Sequence, residues 1–64
     1  MFQLHLPDMT CGHCRERVAQ AIRLVDPQAR FEVDLVGRRV RIDGAAEPAR
    51  FSAALAAAGY PPSA

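Results

Sequence analysis

The feature that most constrains this chain is a hydrophobic period that switches three times within 64 residues. Residues 2–6, FQLHL, alternate: Phe2, Leu4 and Leu6 fall on one side, Gln3 and His5 on the other. That is the two-residue period of a half-buried strand, and Pro7-Asp8 ends it. Residues 12–25, GHCRERVAQAIRLV, place Val18, Ala21, Ile22 and Val25 at helical spacing. Arg15, Glu16, Gln20 and Arg23 lie mostly opposite, as in an amphipathic helix. Thr10 is placed to cap its first turn, and Asp26-Pro27 stops it. Alternation returns in RFEVDL, 30–35, with Phe31, Val33 and Leu35 inward, and in RVRID, 39–43, with Val40 and Ile42 inward. Val36-Gly37-Arg38 joins these two as a β-hairpin. Pro48 suits the first turn of a second helix running to about Ala58, with Phe51 and Leu55 at i, i+4 and Gly59 as its stop.

Strand, helix, strand, strand, helix is the order of a split β-α-β plan. The expectation is an α+β, ferredoxin-like sandwich: an antiparallel sheet with both helices on one face and the other face wet. Arg39 and Arg41 would then face Glu32 and Asp34 across the hairpin, pairs worth roughly 0.2–1 kcal/mol each. Residues 1–64 make one domain, because so short a chain has no room for a second core. Half of its residues are hydrophobic, but many are alanine. The larger apolar side chains, Leu24 among them, suffice for one compact core.

Net charge is +1, and all eight basic residues are arginine. No strong field selects nucleic acid or an anionic membrane, and no stretch approaches the ~20 apolar residues of a membrane span. The first residues show neither the basic start nor the long apolar run of a secretory leader. The expected address is the cytoplasm, where thiols stay reduced.

The chemistry is concentrated in MTCGHC, Met9 to Cys14, which holds both cysteines. Three readings compete. A Cys11–Cys14 disulfide would close a very short loop and stabilise little. A redox dithiol has sound chemistry, since a helix N-terminus favours the thiolate. However, Met9 and Thr10 precede the first cysteine where thioredoxin-type proteins lead one to expect an aromatic residue, and the chain is short for that fold. Haem attachment through Cys-x-x-Cys-His is excluded by Arg15. The third reading is metal: two thiolates, one on a loop and one in a helix's first turn, converge on a soft ion such as Cu(I). A closed zinc tetrahedron needs four ligands, but His5 is expected on the wet face and His13 in solvent. An exposed, two-coordinate site suited to handing metal on is the expectation.

MTCGHC on the first loop of a β-α-β-β-α chain resembles the heavy-metal-associated domain. That family includes bacterial copper chaperones and the N-terminal domains of copper-transporting P-type ATPases. Its Met-x-Cys-x-x-Cys motif is matched by Met9, Cys11 and Cys14. Ala58-Gly59-Tyr60 looks like the family's segment after the second helix, and the resemblance extends from Phe2 to about Tyr60. It implies thiolate ligands at Cys11 and Cys14, with Met9 a buried prop under the loop. Thr10, Gly12 and His13 would complete the loop, and Tyr60 would shield the site.

Thr10 stands where zinc-preferring relatives carry an acid, which favours Cu(I) over Zn(II). Carriage of Hg(II), Cd(II) or Zn(II) by the same sulfurs stays open, as does dithiol exchange. The function implied is not enzymatic. It is a metallochaperone whose acceptor would be a copper-transporting P-type ATPase or its metal-binding domain, with a metal-bridged homodimer possible. Arg15 and Arg17 could steer toward an acidic partner.

Two departures stand out. The family closes its sheet with a fourth strand, but YPPSA carries two prolines that cannot donate ladder bonds. The fourth strand should be vestigial or absent, leaving the first strand's edge poorly covered and open to self-association. Asp8 stands where many relatives have glycine, a residue suited to positive φ.

Overall fold

The computed structural model describes residues 2–10 and 12–63. Its elements run β1 (Phe2–His5), α1 (Gly12–Val25), β2 (Arg30–Asp34), β3 (Arg39–Asp43) and α2 (Pro48–Ala57). Each lies within a residue or so of the element expected from the hydrophobic period. The sheet among the described residues is three-stranded, in the order β1-β3-β2, with both pairings antiparallel. β3 therefore runs through the middle, with Val40 opposite Leu4 on one side and Val33 on the other.

This register puts Phe2, Leu4, Phe31, Val33, Val40 and Ile42 on one face. There they join Val18, Ala21 and Ile22 of α1 and Phe51 and Leu55 of α2 in a single core. Phe51 is fully buried, worth about 1.5–3 kcal/mol over exposure, and its ring lies 5.6 Å from that of Phe2. The opposite face is charged and exposed. Glu32 is registered against Arg41 and Asp34 against Arg39. The Arg41 guanidinium is 3.8 Å from the Glu32 carboxylate. Such open pairs contribute little to stability but keep this face in water.

Leu24 departs from the expected core: it is 86% exposed. It stands two residues beyond buried Ile22, roughly 200° around the helix, so the packing that buries Ile22 turns Leu24 outward. The hairpin turn is Leu35–Arg38, which leaves Leu35 just beyond β2 and half-buried. The Asp34 carboxylate accepts the Gly37 N–H at 3.0 Å.

α2 begins with Pro48 at its N-terminus and Glu47 before it, without a side-chain cap. Its C-terminus closes by two backbone bonds, Gly59 N–H to Ala56 C=O at 3.1 Å and Tyr60 N–H to Leu55 C=O at 2.8 Å. Gly59 sits at φ 98°, a left-handed conformation that glycine adopts without a Cβ clash. This paired closure turns the chain back so that Tyr60 enters the core.

Residues 61–63 form no strand. One ladder-like bond remains, from Ser63 N–H to His5 C=O at 2.9 Å, and the His5 ring Nδ1 and the Ser63 hydroxyl share a hydrogen bond of 2.7 Å. The tail is thus a short strap on β1's edge.

Candidate metal centre

The loop between β1 and α1 starts from buried Leu6, whose N–H donates to the Arg38 C=O at 2.7 Å. The Met9 N–H donates back to the Leu6 C=O at 3.0 Å, closing a turn over Pro7-Asp8. Proline's fixed φ suits the second position of such a turn. Among the described residues the only non-glycine with positive φ is Arg38, so Asp8 needs none of the left-handed freedom anticipated for it. The turn sends Met9 inward, where it is fully buried in the main core. An apolar anchor beneath the loop leaves its polar surface facing out.

Cys14 is the third residue of α1 and is buried, at 6% exposure. Its thiol is directed back to the loop, donating to the Asp8 C=O at 3.9 Å, a long contact typical of weak S–H donors. The expected exposure of the motif holds for Thr10, Gly12 and His13, which are all exposed, but not for Cys14. The same helical period that buries Val18 buries Cys14 one turn earlier, at i−4. Cys11 lies outside the described residues. The junction between Thr10 and α1, and with it the cap expected of Thr10, passes through that residue and so lies outside the described residues too.

No acidic side chain occupies the first turn of α1. The positive end of the helix dipole therefore faces the motif with no carboxylate in its own first turn. Arg15 and Arg17 follow on the exposed surface. Gly12 is open: a Cβ there would meet nothing within 4 Å. Tyr60, buried at 8% exposure, belongs with Met9 and Cys14 to one core cluster. His5 is not brought to the loop; it lies exposed on β1 and engages the tail. Among the described residues no three His, Cys, Asp or Glu side chains gather in a group that could hold a metal. In the sequence Pro7-Asp8 reads as a strand breaker; the structure adds the turn they make and the carbonyl that receives Cys14. Proline followed by aspartate is a turn signature and could have shown the first.

This geometry agrees with the comparisons to known proteins. The model of the heavy-metal-associated domain matches residues 3–61, and the chain belongs to that family. Among curated proteins none matches the sequence, but several solved structures do. The copper chaperone Atx1 from Synechocystis PCC6803, in a trimeric form, is 35% identical with a TM-score of 0.94, covering 98% of this chain and 100% of its own. A gold-binding protein is 37% identical with a TM-score of 0.90, covering 94% of this chain and 92% of its own. Agrobacterium tumefaciens Atu1203 is 35% identical with a TM-score of 0.85, covering 97% of both chains. The sheet and helices described above are the family's ferredoxin-like fold, and the chain is a heavy-metal chaperone domain in type.

Proposed function

We propose that this protein is a Cu(I) metallochaperone that binds copper through Cys11 and Cys14 and passes it to a partner domain with its own Cys-x-x-Cys. The observation that carries the reading is Cys14: it sits in the first turn of α1 with its thiol turned to the loop that bears the motif. Two thiolates form a soft donor pair matched to Cu(I). The likeness to the copper chaperone Atx1 supports the choice of ion.

Transfer is a ligand exchange. A partner thiolate adds to the two-coordinate ion, giving a shared three-coordinate intermediate, and one sulfur of this chain then leaves. Each Cu–S bond broken here accompanies one formed on the partner, and copper stays Cu(I). No reaction is catalysed on a separate substrate, so the protein acts as a carrier and not as an enzyme. The acceptor is a copper-transporting P-type ATPase or its metal-binding domain, and the setting is the cytoplasm. Among the described residues no helix is long and apolar enough to cross a membrane. Met9 supports the loop from below, Thr10, Gly12 and His13 form its outer surface, and Tyr60 shields the site.

An anaerobic Cu(I) titration of the reduced protein against a chromophoric chelator tests this, with Zn(II) in parallel. One-to-one binding is expected. Cys11→Ser or Cys14→Ser should weaken it by more than the ~10–100-fold that substitutions behind a ligand cost. Binding that survives both substitutions overturns the reading.

The likeness to a gold-binding protein favours one second reading, a carrier or buffer of another soft ion such as Hg(II) or Cd(II), or of Zn(II). Tighter binding of one of these than of Cu(I) would select it. A disulfide of high reduction potential would point instead to dithiol exchange.

A further inference from the structure

We propose that Arg38, in the β2–β3 turn, is a positioning residue for the metal loop, which it holds from outside the motif. The inference rests on the metal-binding reading above. Two features of Arg38 converge. It is the one non-glycine among the described residues with positive φ, at 55°, uncommon for arginine and suited to the last residue of the β2–β3 turn. It also contacts the loop twice. Its C=O accepts the Leu6 N–H at 2.7 Å, and its guanidinium reaches the Pro7 C=O at 3.5 Å, 31 positions away in sequence.

Arg38 thus engages the Leu6-Pro7 segment through both its main chain and its side chain. That segment carries the turn, through the Met9 N–H to Leu6 C=O bond. The next carbonyl along, that of Asp8, receives the Cys14 thiol. The order of the loop therefore passes from Arg38 to Pro7, then to the Pro7-Asp8 turn, and then to Cys14. Each contact is weak alone. The guanidinium contact is long and exposed, so it acts by limiting the loop's excursions and not by adding much to global stability.

Arg38→Asn tests this. Asparagine tolerates the left-handed region but cannot reach Pro7, so the turn is kept while the side-chain contact is lost. Two quantities are measured on the reduced protein: amide hydrogen exchange without metal, and Cu(I) affinity by chelator competition. In Arg38→Asn the Met9 amide should exchange about threefold faster while Ile22, in the core of α1, keeps its rate, the mark of local opening. Cu(I) affinity should fall about threefold, the scale of one exposed hydrogen bond, and Arg38→Lys should recover part of both. A wild-type exchange rate at Met9 overturns the proposal. So does an unchanged Cu(I) affinity beside a loosened loop. Should the unaltered protein bind no Cu(I), the metal reading falls, and the assignment of Arg38 as holding a metal loop falls with it. The Met9 exchange measurement then still shows separately whether Arg38 orders the loop.

Discussion

The two ends of α1 are held in opposite ways. At its C-terminal end, Asp26 uses both carboxylate oxygens: one accepts the Gln28 N–H at 3.0 Å, the other the Ala45 N–H at 3.1 Å. This ties the α1–β2 connection to the loop before α2. Gly44 packs into the same corner, where a Cβ would lie 3.1 Å from Ala29, the Asp26 carboxylate and the Phe51 ring. At its N-terminal end, about 21 Å away for a 14-residue helix, the first turn carries no acidic side chain. The loop is held by buried Met9, by a backbone turn and by one reach from Arg38. A charged staple suits a corner that need only be rigid. On the proposed function, beside two thiols set for a soft cation, it would offer hard oxygen ligands and repel the thiolates. An apolar anchor supplies order without competing for the metal.

Predictions that probe this contrast run from large to small. Met9→Ala removes a fully buried side chain and should cost about 2–5 kcal/mol in chemical denaturation. Metal binding should weaken beyond what the stability loss explains. If Met9→Ala unfolds more readily yet binds Cu(I) unchanged, the loop does not depend on its anchor and the contrast fails.

Asp26→Ala removes two acceptors from backbone N–H groups and should destabilise by about 1–2 kcal/mol. The loss is offset slightly by removing a negative charge at the helix C-terminus. Cu(I) affinity should not change, because the staple lies at the far end of α1. A matching loss of affinity would mean that the two ends are coupled through the helix.

The smallest effect on stability is expected from Arg15→Glu combined with Arg17→Glu, both on the exposed face of α1. Stability should shift within about 0.5 kcal/mol. Copper transfer to an acidic partner should slow at low salt, and the deficit against the unaltered protein should shrink as salt rises, because screening weakens both the lost attraction and the new repulsion. An unchanged rate at low salt removes steering from the account and leaves the loop alone to define the site.

Much of the molecule is legible in local pattern. The switches of hydrophobic period mark all five elements, because a strand or helix must turn its apolar residues to one side wherever it packs. Pro48 and Gly59 mark the limits of α2 through fixed φ and left-handed freedom, both properties of single residues. The opposed charges of β2 and β3 anticipate their register. The motif's place at the start of α1 is equally local, as is the placement of Cys14 one turn before Val18.

Local pattern does not show which side of a helix rests on the sheet, nor which distant segments meet. Leu24 counted as an apolar residue, but the tilt that seats Ile22 leaves it in water. The thiol of Cys14 was expected in the open, but the same packing draws it inside. The bond from Ala45 to Asp26 spans 19 positions and the reach from Arg38 to Pro7 spans 31. Neither carries a local signature, since each exists only after β3 has threaded between β1 and β2. Local pattern sets the order of elements and brings two cysteines to the start of α1. Tertiary structure decided how deeply Cys14 sits, how the loop is held and where Tyr60 lies, because each depends on contacts that form only when remote parts of the chain close on one core.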